Sequence, residues 1–95
     1  MSEEDRLTAG FLISGRVQGV GFRFFAKQLA DQIGVVGWVR NLPDGRVEAL
    51  ATGFPNQLAA LLAGLEEGPV GARVDDIEKI EGAEQSDLSE FKIKF

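Results

Sequence analysis

The chain has 95 residues, enough for one domain with a modest hydrophobic core, and it contains neither cysteine nor histidine. Disulfides, thiolate nucleophiles, imidazole bases and the usual zinc and haem sites are therefore excluded, and we expect no metal and no cofactor. No apolar run approaches the roughly 20 residues of a membrane span, and the net charge of −5 argues against nonspecific binding to nucleic acid or to an anionic membrane.

The first predicted elements are a strand and a helix. Thr8 to Gly15 surrounds the apolar run Phe11-Leu12-Ile13 and is typical of a strand that is buried on both faces. From Phe22 to Ile33 the apolar residues recur at the spacing of an amphipathic helix, and Gly34 supplies its C-terminal stop.

A hairpin and a second helix follow. The stretches Val35 to Leu42 and Arg46 to Thr52 have the residue types and the alternation of strands. Pro43-Asp44-Gly45 between them suits a tight turn, which predicts that the two strands pair. The second helix begins at Pro55, carries its leucines on one face and ends before Gly68.

The last part of the chain is less regular. Ala72 to Ile80 is predicted as a fourth strand whose irregular spacing indicates a β-bulge near Asp75-Asp76 or a change in the buried face. Glu81 to Glu90 is polar and acidic, as expected for a loop, and Phe91 to Phe95 alternates like a short closing strand.

The order of these elements, β-α-β-β-α-β with a short closing strand, predicts an α+β fold of the ferredoxin-like, split β-α-β kind. We expect an antiparallel sheet in the spatial order 4-1-3-2, with both helices on one face. Residues 1–95, with a core of about 7–95, are predicted to form one domain. This scaffold hosts enzymes, RNA binders and regulatory modules, so the function has to be read from the site.

The segment from Gly15 to Arg23 joins the first strand to the first helix and contains three glycines. Glycines let successive backbone N–H groups turn toward one point, the helix start adds unpaired donors, and Arg23 adds a guanidinium. The glycine spacing fits neither G-x-x-x-x-G-K-[ST] nor G-x-G-x-x-G, so we expect one phosphoryl group rather than a nucleotide. The backbone that would bind it belongs to Gln18, Gly19, Val20, Gly21, Phe22 and Arg23.

Charge is distributed unevenly along the chain. The stretch from Ser14 to Val47 carries a net charge of +3, whereas the remainder carries −8. A local basic site in an acidic protein suits a small anion better than a polyanion. The third strand also lacks the aromatic residues on which RNA bases stack, so we expect no nucleic-acid partner.

Asn41 taken alone is a weak signal, because asparagine is common just before a hairpin turn. Together with the glycine loop, however, it completes a pattern that resembles the two-part signature of the acylphosphatase family. The likeness covers roughly residues 8 to 80. Its motifs are Gly15-x-Val17-Gln18-Gly19-Val20-x-Phe22-Arg23 and Gly37-Trp38-Val39-x-Asn41-x-x-Asp44-Gly45-x-Val47-Glu48.

The resemblance implies a metal-independent hydrolase that cleaves the carboxyl–phosphate anhydride of small acyl phosphates to a carboxylate and inorganic phosphate. Phosphate would then be both product and inhibitor. The resemblance implies that Arg23 and the loop N–H groups hold the phosphoryl group and that Asn41 positions the attacking water. Arg23 and Asn41 are thus the expected catalytic residues.

The alternative is a noncatalytic module that uses the same loop. It would be a sensor of phosphate or acyl phosphate, or a relay domain like that at the front of a carbamoyl-phosphate-using maturation enzyme. Those enzymes continue into cysteine-rich segments, whereas this chain stops at Phe95, which favours the hydrolase. The acidic start, Met1 to Asp5, differs from a basic secretory signal, so we expect a cytoplasmic protein without a membrane partner. We also expect a monomer.

Overall fold

The computed structural model describes residues 5–81, 83 and 88–95. Its strands form one sheet in the order β4-β1-β3-β2-β5, so the predicted α+β architecture and the strand order 4-1-3-2 are confirmed. No helix within these ranges is long and apolar enough to cross a membrane. The elements are β1 (Leu7–Arg16), α1 (Phe22–Ile33), β2 (Val36–Asn41), β3 (Val47–Gly53), α2 (Pro55–Glu67), β4 (Arg73–Glu81) and β5 (Phe91–Ile93).

The sheet is mixed rather than wholly antiparallel. The first four strands pair antiparallel with their neighbours, but β5 runs parallel to β2. β4 and β5 follow each other along the chain but lie at opposite edges of the sheet. Half of the predicted acidic loop, Glu81 to Glu90, lies outside the described residues, as do residues 1–4.

The hydrophobic core lies between the sheet and the two helices. Alternate residues of β1, among them Phe11 and Ile13, point into it and are fully buried. On the opposite face of the same strand Leu12 and Ser14 are only half-buried. The prediction that the first strand is buried on both faces is therefore wrong in this half, because both helices cover the same face. The helices contribute Phe22, Ala26, Ala30, Leu58, Leu61 and Leu65 to the core.

A β-bulge interrupts the pairing of β1 with β4 near the end of β1. Ser14 pairs with Asp76 but Gly15 pairs with Val74, so Asp75 is an extra residue in β4, which confirms the predicted bulge. A Cβ on Gly15 would overlap the backbone of Arg73 and Asp75, so only glycine permits this approach. The bulge lies where β1 gives way to the glycine-rich loop.

Gly37 of β2 allows the backbone of β3 to approach closely. Its φ is 148°, and a Cβ there would overlap the Leu50 carbonyl oxygen. Gly37→Ala should therefore lower the free energy of unfolding by about 3 kcal/mol, through strain and overpacking. Urea unfolding measures the loss.

Gly10→Ala is the matched control in β1, which pairs with β3 on the side opposite to β2. A Cβ at Gly10 would meet its nearest heavy atom at 3.7 Å, an ordinary van der Waals contact, and the unfolding midpoint should change little. Equal losses in the two variants would contradict the close-approach explanation.

Candidate active site

The pairing of β3 brings two distant parts of the sequence to one end of the sheet. Val47 pairs with Ile13 of β1 on one side and with Asn41 of β2 on the other. Because both pairings are antiparallel, β1 and β2 run in the same direction and end together. The loop after β1 and the last residue of β2 therefore lie at the same end of the sheet.

The loop between β1 and α1 is anchored at one residue and open beyond it. Val17 is fully buried in the core. Gly19 and Gly21 follow with φ of 77° and 76°, the left-handed region that favours glycine. A Cβ at either glycine would meet nothing within 4 Å, so this side of the loop is accessible to a ligand.

The loop presents a row of unused hydrogen-bond donors. Within the described part of the chain, the backbone N–H groups of residues 18–23 donate neither to a backbone carbonyl nor to a side chain. Gly21 is the N-cap of α1 without a side-chain cap, and the first turn contains no acidic residue. These donors and the positive end of the helix dipole form a site for an anion.

Arg23 lies in the first turn of α1, beside these donors. Its Nη1 donates a hydrogen bond of 3.1 Å to the Lys94 carbonyl oxygen. The Phe95 ring centroid lies 4.7 Å from the guanidinium carbon. Only one of the five N–H donors of the guanidinium is used by another described residue, so the others are available to a ligand. The sequence pattern predicted the closing strand, but not that its end would contact Arg23.

Asn41 is the last residue of β2, and its side chain is half-exposed. Among the described residues its amide has no hydrogen-bond partner, which leaves an acceptor and two donors for a water molecule or a ligand. The structure thus places the two predicted catalytic residues, Arg23 and Asn41, with the predicted phosphate loop at one end of the sheet. In residues 5–81, 83 and 88–95, no group of three or more acidic, histidine or cysteine side chains is assembled that could hold a metal ion.

Gln18 joins the loop to the hairpin through its side chain as well as contributing its backbone. Its Nε2 donates to the carbonyl oxygens of Leu42 and Arg46, at 2.8 Å and 2.9 Å. The sequence had indicated only a backbone role for Gln18, because no local pattern specifies acceptors that lie 24 and 28 residues away.

The hairpin turn that receives these bonds is the one predicted from Pro43-Asp44-Gly45. Leu42 N–H donates to the Arg46 carbonyl at 2.8 Å, and Gly45 N–H donates to the Leu42 carbonyl at 3.2 Å. The Asp44 carboxylate accepts a bond from the Arg46 backbone N–H and another from its guanidinium. The side-chain bond from Arg46, with its backbone bond and positive charge, holds the pKa of Asp44 below its usual value.

Comparison with known proteins identifies the family to which this chain belongs. Residues 9–93 match the family model described as Acylphosphatase. The chain belongs to the acylphosphatase family. It is 46% identical over 91 residues to the acylphosphatase of Koribacter versatilis (strain Ellin345), covering 96% of this chain and 83% of that protein. The family predicted from the two motifs is confirmed, and with it the enzyme class, an acylphosphatase hydrolase.

Solved structures agree with this assignment. The crystal structure of acylphosphatase from Bacillus subtilis has a TM-score of 0.90 at 38% identity, covering 94% of this chain and 99% of that one. Full-length HypF, in its phosphate- and nucleotide-bound form, has a TM-score of 0.86 at 25% identity, covering 99% of this chain but 12% of HypF. The acylphosphatase fold thus also occurs as a small part of a larger protein.

The ion pair with Arg46 should have a measurable effect on the titration of the Asp44 carboxyl group. Arg46→Gln should raise the pKa of Asp44 toward its usual 3.8, because the charged hydrogen bond is lost. Since the folded-state pKa is lowered, the pair stabilises the turn fully above the usual pKa, and this stabilisation is lost as the pH falls through the lowered value. An NMR titration of the Asp44 carboxyl carbon measures this pKa in the wild type and in the variant.

Asp75 provides the matched control. Its pKa is also lowered, chiefly by a side-chain hydrogen bond from Arg73, and this pair is separate from the turn. Arg46→Gln should leave the Asp75 titration unchanged. An unchanged Asp44 titration in that variant would show that the ion pair does not set the pKa.

Proposed function

We propose that this chain hydrolyses the carboxyl–phosphate anhydride of small acyl phosphates, releasing a carboxylate and inorganic phosphate. Membership of the acylphosphatase family and the shared fold support this activity. The observation that carries the proposed mechanism is the row of N–H groups at residues 18–23, which have no partner among the described residues and lie at the same end of the sheet as Arg23 and Asn41.

In this mechanism the loop and Arg23 hold the phosphoryl group. Its oxygens accept bonds from the loop N–H groups, and the guanidinium of Arg23 supplies a two-pronged donor and a full positive charge. Bonds of this kind stabilise the charge that is present on the phosphoryl oxygens in the transition state. Because the donors are fixed by the backbone, little reorganisation is needed when the substrate binds.

Asn41 orients the attacking water in the same proposal. Its amide is neutral at all relevant pH values, so it acts by holding the water in line with the breaking bond rather than by removing a proton. The water oxygen forms the new bond to phosphorus while the bond from phosphorus to the acyl oxygen breaks. The electron pair leaves with the carboxylate, and a phosphoryl oxygen takes the proton of the water.

The chemistry of the leaving group explains why so few side chains suffice. The conjugate acid of a carboxylate has a pKa of about 4 to 5, so the carboxylate departs without a proton donor. If the transition state is loose, the water needs little help from a base. A chain without histidine or cysteine can therefore perform this hydrolysis by positioning and charge stabilisation.

A noncatalytic phosphate-binding or relay module is the second candidate. The similarity of the whole chain to 12% of HypF is the observation that favours it. The candidates differ in one property, because a relay or sensor would bind phosphate or acyl phosphate without releasing inorganic phosphate from free substrate.

The reaction class is tested by comparing two substrates in the presence of a chelator. The wild type should hydrolyse benzoyl phosphate and prefer it strongly to p-nitrophenyl phosphate, whose leaving group is poorer. Asn41→Ala should abolish this preferential turnover. Phosphate binding by the wild type without hydrolysis of benzoyl phosphate would favour the noncatalytic module.

A second test separates the two proposed catalytic residues. Arg23→Ala should lose both phosphate binding and turnover, whereas Asn41→Ala should keep phosphate binding and lose turnover by roughly 100-fold or more. Arg23→Lys should also be poor, because an ammonium cannot provide the two-pronged geometry. Phosphate titration by calorimetry and steady-state kinetics measure the two properties.

Arg6→Ala is the matched control for these variants. Arg6 is exposed and lies over the Phe54 ring, next to the start of β1 and so at the opposite end of the sheet. Phosphate binding and turnover of Arg6→Ala should both stay at the wild-type level. A similar loss of phosphate binding in Arg23→Ala and Asn41→Ala would refute the proposed division of roles.

A further inference from the structure

The side chain of Gln18 is the only one in the described part of the chain whose hydrogen bonds join the glycine-rich loop to the β2–β3 hairpin. We propose that Gln18 is a positioning residue, whose amide sets the spacing between the loop that holds the phosphoryl group and Asn41. The inference rests on the proposed function, because it assigns the residue that places the water-orienting amide.

The chemistry of the contact specifies an amide at this position. The Leu42 carbonyl already accepts the N–H of Gly45, and the Arg46 carbonyl already accepts the N–H of Leu42. Each carbonyl uses a second lone pair to accept one hydrogen of the Gln18 NH₂ group. A carboxylate would face two acceptors without a donor, and an apolar side chain would leave both sites unfilled.

The position of the two acceptors relates the contact to Asn41. Leu42 directly follows Asn41, and Arg46 directly precedes Val47, the residue that pairs with Asn41 across the hairpin. Gln18 therefore bonds to the two residues that flank the Asn41–Val47 pair, one just after β2 and one just before β3. A shift of the hairpin away from the loop would break both bonds and move Asn41 with it.

The other end of the connection is fixed in the loop. The neighbouring Val17 is fully buried, and Gly19 has the left-handed backbone that shapes the loop. The backbone N–H of Gln18 belongs to the row of donors proposed to hold the phosphoryl group. One residue thus has its main chain at the phosphoryl site and its side chain on the hairpin that carries Asn41.

This arrangement predicts a separation of binding from turnover. Phosphate affinity depends on the loop N–H groups and Arg23, neither of which needs the Gln18 amide. Turnover depends on where Asn41 holds the water, and a displacement of about 1 Å can cost on the order of 100-fold in rate. Loss of the amide should therefore lower kcat while leaving the phosphate inhibition constant close to that of the wild type.

The variants are Gln18→Met, which keeps the length of the side chain without its donors, and Gln18→Ala. In both, kcat for benzoyl phosphate should fall by roughly 10- to 100-fold. Gln57→Met is the control, because Gln57 also bonds to backbone, accepting from Phe54 N–H and donating to the Ile33 carbonyl, at the start of α2. It should lower the melting temperature without lowering kcat.

A double-mutant cycle with Asn41→Ala decides whether Gln18 acts through Asn41. If it does, Gln18→Met should cost little further activity once Asn41 is already alanine, so the two losses should not add. Additive losses, or equal losses of kcat and phosphate affinity in the single variants, would overturn the proposal.

An NMR measurement tests the same proposal without turnover. The side-chain amide signal of Asn41 should respond to inorganic phosphate in the wild type, and Gln18→Met or Gln18→Ala should reduce that response at equal saturation. An equal response in all three proteins would overturn the positioning role. If the wild type hydrolysed no acyl phosphate, the proposed function would fail, and a response that depends on Gln18 would still support its link to Asn41.

Discussion

The register of β3 with both of its neighbours is the constraint on which the rest of the site depends. One residue, Val47, is paired with β1 and with β2, and it is fully buried, so neither strand can slip without exposing core residues. A slip of one position would turn every side chain of the strand to the other face. The hydrophobic core thereby fixes where the glycine-rich loop and Asn41 lie relative to each other.

The backbone N–H groups of the loop stay available to a ligand because the loop lies at the surface, at one end of the sheet. Unpaired N–H groups are costly when they are buried, but at the surface they bond to water until an anion replaces it. Left-handed glycines aim these donors without adding side chains that would fill the site. The helix that follows contributes its first N–H groups and its dipole, so the main chain supplies most of the anion site.

The closing strand connects the far end of the chain to this site. β5 pairs with β2, and the two residues that follow it contact Arg23 through the Lys94 carbonyl and the Phe95 ring. Lys27, one turn further along α1, donates to the Phe91 carbonyl. The helix that carries Arg23 is thus held against the edge of the sheet at two points, which limits the positions that its first turn can take.

The sequence by itself determined the elements whose signals are local. The helix from Phe22 to Ile33, the turn at Pro43-Asp44-Gly45 and the bulge at Asp75 depend on spacing, turn chemistry and irregular alternation within a few residues, and the two motifs identified the family. Only the tertiary structure decided the parallel direction of β5, the acceptors of Gln18 and the contact between Arg23 and Lys94. These bonds join residues 24, 28 and 71 positions apart. Periodicity reports which face of an element is buried, whereas the partner across such a distance is set by the packing of the whole chain.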